Sequence, residues 1–238
     1  MPTPTTVELL WGIQQRPKRG PKPALSLAGI VAEAIAIADA EGLANLSMQR
    51  LAESLGFTKM SLYRYVPGKE QLTALMLDTA LGAPPERTVV PQDSAWRTAL
   101  SDWAETLFER YRAHPWAIEL TVGARPMGPN EMAWMESALA ALADTGLTAA
   151  ECLDSIVLLA GHVRSLVQQV PVVDAGAFQN RIASQLAEMV AAAAENYPRS
   201  VAAFTEEGAA AGGVGALRFG IGRILDGLGV LIGARAMG

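Results

Sequence analysis

Apolar residues recur every three or four positions along most of the 238-residue chain, which is the spacing of amphipathic α-helices. The first well-patterned region predicts four helices, over residues 26–41, 48–55, 58–66 and 69–81. No segment shows the alternation of apolar and polar residues that marks a strand. The pattern therefore predicts an all-α fold.

Caps and breakers support these boundaries. Ser26, Ser47 and Thr58 are suited to accept the free backbone N–H groups at helix starts. Gly42 and Gly56 can take the left-handed backbone that ends a helix. The third helix has to stop at the Pro–Gly pair at 67–68, so it spans about two turns.

A second helical region follows a linker at 82–93 that contains three prolines and no periodicity. Helices are predicted over 94–113, 130–144, 148–170 and 178–195, with a last one ending near Gly233. Residues 1–24 hold five prolines and predict a flexible basic arm. We refer to residues 25–82 as the head and to residues 94–238 as the body.

Composition narrows the class of protein. Half of the residues are hydrophobic, so the chain can bury a sizeable core. Cys152 is the single cysteine, which excludes an intramolecular disulfide and favours a reducing compartment. No signal peptide or membrane-length apolar run is present, so we expect a cytoplasmic protein.

Charge is distributed unevenly, although the net charge is −5. The first 72 residues hold eight Lys and Arg against six Asp and Glu, which is a net +2. The remainder holds eleven against eighteen, a net −7. A basic N-terminal part, which owes its excess to the arm, on an acidic remainder is the asymmetry expected when only the N-terminal part meets a polyanion.

The third helix carries large polar side chains that the core cannot use. Leu62 is its one obvious core residue, and the others are Lys59, Met60, Ser61, Tyr63, Arg64 and Tyr65. A helix, a glycine turn and a second short capped helix form a helix-turn-helix, whose second helix fits the major groove of DNA. The alternative is an ordinary surface helix of a bundle.

The stretch from Ile30 to Leu72 resembles the DNA-binding domain of the tetracycline-repressor (TetR) family. The matching segments are "LSMQRLAESLGF", "SLYRYV" and "GKEQL". The body is similar to the family's C-terminal domain at "YRAHPWA", "RPMGPN" and "FGIGRILDGL". This resemblance implies a homodimeric regulator, most often a repressor, with a three-helix DNA-binding domain and a helical bundle for ligand binding and dimerisation.

The resemblance also implies roles for individual residues on a palindromic operator. Gln49, Lys59, Met60 and Ser61 occupy base-facing positions. Tyr63, Arg64 and Tyr65 occupy groove or phosphate positions, and Lys69 a phosphate position at a helix N-terminus. A small, largely apolar effector of unknown identity is implied as the ligand that releases DNA.

The arm adds Arg16, Lys18 and Arg19 between prolines and a glycine. An extended basic strand of this kind could enter a minor groove next to the operator. A solvated tail is the open alternative.

The last helix has an apolar line suited to a dimer interface. Its residues are Leu217, Ile221, Ile224, Leu228 and Leu231, with glycines between them that permit close approach. The long helix before it has two apolar stripes, one more than a monomer surface needs. The alternative is that both helices belong to the chain's own core.

The aromatic, methionine and polar residues of the body suggest an apolar effector pocket. The candidates are Trp103, Tyr111, Met127, Trp134, His162 and Gln169. The chain has only two histidines, His114 and His162, unlike the His- and Asn-rich pocket that the resemblance implies for magnesium–tetracycline. We expect neither that ligand nor any cofactor or metal.

Enzymatic interpretations have little support. "GLGVLIG" near the C-terminus mimics a dinucleotide fingerprint, but no strand precedes it. Cys152 begins a helix, yet no base is evident for it. The remaining alternative is a helical ligand-binding or scaffold protein that does not bind DNA.

Overall fold

The computed structural model describes residues 4–13, 25–86, 95–169, 184–185, 187–192, 195–209 and 214–237. These residues contain helices and no strand. The α-helices are α1 (Thr6–Leu10), α2 (Leu27–Glu41), α3 (Met48–Leu55), α4 (Lys59–Tyr63), α5 (Lys69–Leu81), α6 (Ala95–Ala113), α7 (Pro129–Leu142), α8 (Ala149–Gln169), α9 (Pro198–Ala209) and α10 (Val214–Ala236). Short 3-10 helices span Leu43–Asn45 and Pro115–Thr121.

The head is built from α2 to α5, and its boundaries confirm the sequence prediction. Ser26, Ser47 and Thr58 each accept a backbone N–H of the first turn that they cap. Gly56 ends α3 with φ of 70°, a left-handed conformation that a side chain would strain. The fully buried side chains of the head lie between these helices: Ile30, Leu46, Leu51, Leu62, Val66, Leu72, Met76 and Leu77.

The body is a bundle in which α6 packs against α7 and α8, and α10 packs against α8 and α6. Leu100, Trp103, Leu159 and Val163 are among its buried residues. A capping box begins α8, since Thr148 and Glu151 each accept the other's backbone N–H. Buried residues from the head to α10 form one continuous hydrophobic core.

The predicted flexible arm over residues 1–24 is wrong for its first half. Residues 6–10 form α1, which has its own capping box at Thr5 and Glu8 and packs on α5. Leu10 is buried there, and Trp11 Nε1 donates a hydrogen bond of 3.1 Å to the carbonyl of Met127. The apolar "VELLW" segment forms α1 because it has a surface on which to bury Leu10.

Two further elements differ from the prediction. Residues 198–209 form α9, for which no helix was predicted. Residues Pro115–Thr121, for which no element was predicted, form a 3-10 helix that buries Trp116, Ala117 and Ile118. Both segments are short or weakly periodic, so the spacing of their apolar residues gives little indication of a helix.

Candidate nucleic-acid interface

The helix-turn-helix is formed by α3 and α4. Leu62 on α4 is fully buried and packs in the core with Leu51 of α3, so it fixes the angle between the two helices. Thr58 Oγ1 accepts the N–H of Ser61 at 3.3 Å, which sets the start of α4. The remaining side chains of α4 are therefore directed away from the core.

The predicted base- and phosphate-contacting residues lie on the exposed side of this unit. Lys59, Met60, Tyr63, Arg64 and Lys69 are exposed, and Met60 has 73% of its surface accessible. Ser61 and Tyr65 are partly buried. The exposed Met60 side chain is available to a partner such as the thymine methyl group.

Three cations of this surface have no counter-ion within the described part of the chain. Lys59, Arg64 and Lys69 form no ion pair with any residue that the structure describes. Arg50 differs, because its guanidinium lies 2.6 Å from Glu41 Oε1 and lowers the pKa of that carboxyl group. The surface charge available to a polyanion is therefore concentrated on α4 and the start of α5.

Gln49 is exposed at the start of α3, as a base-reading residue requires. Its amide nitrogen donates to the carboxylate of Glu53, one turn further along the helix. Contact with a base would require this hydrogen bond to open. Arg16, Lys18 and Arg19 lie outside the described residues.

Helix α5 connects the interface to the body. Lys69 begins it, and Asp78 in its last turn is buried against the N-terminus of α7. Asp78 Oδ1 accepts the backbone N–H groups of Asn130 at 2.9 Å and Glu131 at 3.1 Å, and the Asn130 side chain donates to the Asp78 carbonyl. We call this set of contacts the α5–α7 clamp.

Two neighbours make the α5–α7 clamp tight. Gly128 lies so close to Asp78 that a methyl group on Gly128 would overlap the Asp78 side chain. Glu131 is bound by Arg125 at 2.6 Å, so the second carboxylate near Asp78 is neutralised. Burial is the main cause that raises the pKa of Asp78, and the two backbone N–H groups oppose it.

The raised pKa of Asp78 leads to a testable pH dependence. A carboxyl group whose pKa is higher in the folded state stabilises the fold below its unfolded pKa of 3.8, and this contribution is lost as pH rises through the folded pKa. Asp78→Asn keeps the Oδ1 acceptor and removes the ionisation. We expect the stability of Asp78→Asn relative to wild type to increase as pH rises from 3.5 to 7, as measured by urea unfolding. A constant difference across this range would contradict the assignment.

A second junction joins the head to the body through Asp39 at the end of α2. Asp39 Oδ1 accepts Trp116 Nε1–H at 2.6 Å and lies 2.8 Å from His114 Nδ1. Both partners come from the segment directly after α6. Asp39 and Asp78 thus provide polar contacts between the head and the body, and Trp134 Nε1 adds a hydrogen bond of 2.9 Å to the Gly82 carbonyl.

Comparison with known proteins identifies both parts of the chain. Residues 30–76 match the family described as bacterial regulatory proteins, tetR family. Residues 90–232 match the tetracyclin repressor-like C-terminal domain. The chain belongs to the TetR family. The HTH-type transcriptional repressor DrrR1 of Streptomyces coeruleorubidus is 40% identical over 97% of this chain and 87% of its own length.

Solved TetR-family structures share the fold. Apo ActR of Streptomyces coelicolor is 26% identical, with a TM-score of 0.72 over 90% of this chain and 99% of that chain. ActR in complex with actinorhodin is 26% identical, with a TM-score of 0.70 over 88% of this chain and 99% of that chain. The tetracycline repressor protein class E of Escherichia coli is 27% identical over 54% of this chain and 61% of its own length.

The dimer-interface prediction is wrong for three of its five residues. Leu217, Ile221 and Leu228 are buried in the chain's own core, where α10 packs on α8 and α6. Ile224 is partly buried, and Leu231 is exposed. On α10 the residue buried at this position is Leu225 and not Ile224. Near the end of the helix, Ile232 packs against the core while its neighbour Leu231 is exposed.

A different apolar surface remains exposed on the same two helices. Glu151 pairs with Arg235 at 2.6 Å, and His162 Nε2 lies 3.2 Å from the Leu217 carbonyl, so α8 and α10 run antiparallel. Val157 and Leu158 on α8 are each 58% exposed, and Val230 on α10 is 76% exposed. We call the exposed side of α8 and α10 the apolar face.

The effector-pocket prediction is not supported by the packing. Trp103, Tyr111 and Trp134 are buried core residues, with Trp103 Nε1 donating to the Trp134 carbonyl at 2.9 Å. Met127 and Gln169 are exposed, and His162 lies between α8 and α10 against Gly220. The two tryptophan rings fill the space between α6 and α7 in an edge-on contact, with centroids 5.5 Å apart.

Cys152 is buried in the first turn of α8. Burial raises the pKa of the Cys152 thiol, which disfavours the reactive thiolate. Across the described parts of the chain, no group of three or more His, Cys, Asp or Glu residues is placed to hold a metal ion. Within the same residues, no helix combines the length and apolarity needed to cross a membrane.

The junction residues Asp39, Asp78 and Glu131 were missed from sequence. Asp78 gave a usable signal, since it interrupts the otherwise apolar run "LMLDTAL" in α5. A carboxylate in such a run is buried unless the helix is exposed there, and a buried carboxylate needs donors. Nothing in the sequence indicates that the donors come from the start of α7.

Proposed function

We propose that this TetR-family protein represses transcription by binding a palindromic operator as a homodimer, and that a small-molecule effector bound in the body releases it. The observation that carries the proposal is the exposed side of α4 and the start of α5. There Lys59, Arg64 and Lys69 have no counter-ion among the described residues, while Leu62 anchors the helix. The proposal keeps the head at 25–82 and the body at 94–238, assigns no catalytic activity, and places the protein in the cytoplasm with its DNA.

Within the interface we assign reading and positioning to different residues. Lys59, Met60 and Ser61 at the N-terminal end of α4 read base edges, together with Gln49 from α3. Tyr63, Arg64, Tyr65 and Lys69 bind phosphates and set the register. Arg16, Lys18 and Arg19 remain a predicted minor-groove contact.

Two heads are needed because one contributes too little contact. A single module of this size buries on the order of 600–1,000 Å² of protein surface. Half-sites on a palindrome lie about 34 Å apart, so the body has to hold the two heads at that spacing. The apolar face with Val157, Leu158 and Val230 is our candidate for the contact between protomers, and its two antiparallel helices would form a four-helix bundle with their copies.

The effector acts through α5 in this proposal. The helix has Lys69 at its DNA end and Asp78 in the α5–α7 clamp at its other end. A ligand that displaces α7 therefore moves the head relative to its partner head. The ActR complexes with (S)-DNPA and with actinorhodin support ligand binding by a relative of this fold.

The assignment of roles along α4 is tested by operator selection. Lys59→Ala is expected to change which operator sequences are preferred, because a base contact is lost. Tyr63→Phe and Lys69→Ala are expected to weaken binding to all sequences alike, by about threefold to tenfold each, because they lose phosphate contacts. Binding to a randomised operator pool and gel shifts across salt concentration would measure both.

Arg199→Ala serves as a charge control, since Arg199 is an exposed cation on α9 and its replacement also removes one positive charge. A Lys59→Ala variant that lost affinity equally for every sequence would contradict the base-reading role. Absence of any salt-dependent shift with wild-type protein would favour a ligand-binding protein that does not bind DNA.

A further inference from the structure

A cavity lies at the junction of the head and the body, away from the Trp103–Trp134 core. It has a volume of about 310 Å³. The head contributes Ala38, Asp39, Gly42 and Leu43 from the end of α2 and the turn after it. The body contributes residues from the 3-10 helix and the end of α8: Pro115, Trp116, Ile118, Glu119, Val122, Val167 and Gln168. This volume is at the lower end of the range for small-molecule sites.

The lining combines an apolar wall with negative charge. Leu43, Ile118 and Val167 provide aliphatic surface, and Trp116 provides an indole ring that is otherwise buried. The eleven lining residues include two carboxylates and no lysine, arginine or histidine. Glu119 is exposed and forms no ion pair within the described residues.

We propose that this cavity binds a small hydrophobic organic cation, such as an aryl or alkyl ammonium. The aliphatic wall would take the apolar part, and Glu119 and Asp39 would attract the charge. An indole face next to a desolvated cation adds a further attraction. A neutral ligand of the same shape would leave Glu119 without a counter-ion, so the site favours the charged form.

Binding here would affect the head directly. Asp39 is both part of the cavity and the acceptor for His114 and Trp116. A cation near Asp39 competes with these two donors for the same carboxylate. The cavity would therefore act as a second control site, distinct from an effector site within the body, and it responds to ligand charge.

The test uses two isosteric probes, phenyltrimethylammonium and neutral tert-butylbenzene. Binding to the full-length protein is measured without DNA, by calorimetry or by tryptophan fluorescence. We expect the cation to bind at least about tenfold more tightly than the neutral probe. Glu119→Lys should remove that preference, whereas Glu136→Lys, with the same change in net charge at an exposed site outside the cavity, should keep it.

Two results would overturn the proposal: equal affinity of the wild-type protein for both probes, or equal loss of cation binding in Glu119→Lys and Glu136→Lys. Thermal melts of both variants check that they are folded. Operator gel shifts on the same variants keep this inference separate from the proposed function. Glu119→Lys should still bind the operator, and phenyltrimethylammonium should shift the operator affinity of wild type but not of this variant.

Discussion

Replacing Val157 and Val230 together by glutamate is expected to give a folded monomer that fails to bind the operator. Both residues are more than half exposed in the protomer, so the charges cost little in the isolated chain. In a two-fold interface each substitution occurs twice, and burying an unpaired carboxylate costs several kcal/mol. Operator affinity should fall by a factor on the order of 100 or more, since single heads bind independently.

Sedimentation, circular dichroism and gel shift measure the three parts of this expectation. Met132→Glu is the control, because Met132 on α7 is 43% exposed and lies outside both the apolar face and the cavity between head and body. Leu228→Glu provides the contrast, since Leu228 is only 7% exposed and its replacement should unfold the protomer. A Val157→Glu, Val230→Glu protein that remained dimeric would show that the protomers meet elsewhere.

Gly128→Ala is expected to force α5 and α7 apart and to destabilise the protein. Its added Cβ would overlap the Cβ, Cγ and Oδ1 atoms of Asp78, so rotating the carboxylate does not relieve the overlap. Separating α5 from α7 also leaves the N–H groups of Asn130 and Glu131 without their acceptor. We expect a loss on the order of 3 kcal/mol in the free energy of unfolding.

Urea unfolding checks the stability loss, and operator affinity checks its consequence for the head. Gly215→Ala is the control, because a methyl group there meets no atom within 4 Å. This control should be neutral or stabilising by up to about 1 kcal/mol, as alanine suits a helix better than glycine. Similar stability of the two variants would show that α5 and α7 are not in close contact at Gly128.

The helices of the head were predictable because their boundaries are local. Ser26, Ser47 and Thr58 each cap a helix through a side chain within three residues of its bonding partner. Such contacts require no knowledge of the tertiary fold. The exposed position of Lys59 and Met60 followed from the same pattern, because only Leu62 of α4 fits the core.

The side of α10 that faces the core was not predictable in the same way. Ile224 and Leu225 are neighbours, and so are Leu231 and Ile232, so two apolar lines fit the sequence equally well. Packing against α8 and α6 selects Leu225, which is 2% exposed. Helical periodicity identifies apolar stripes, but which stripe meets the chain's own core depends on neighbours distant in sequence.

The polar contacts of Asp39 and Asp78 between head and body could not be predicted from the sequence for a related reason. Asp39 meets Trp116 across 77 positions, and Asp78 meets Asn130 across 52. No rule of sequence spacing predicts either contact, because the partners are brought together by the packing of the head on the body. The cavity between Leu43 and Ile118 has the same origin.

Helix α1 restricts which segments can be exchanged between this protein and its relatives to make a functional chimera. Thr6 accepts a hydrogen bond from Gln71 of the head, while Trp11 donates to Met127 of the body. An exchange of residues 25–82 alone would place this N-terminal helix against a foreign α5 and leave Leu10 without its matched surface. A chimera with new operator specificity should therefore either retain the α5 residues that face α1 or import α1 with the new head.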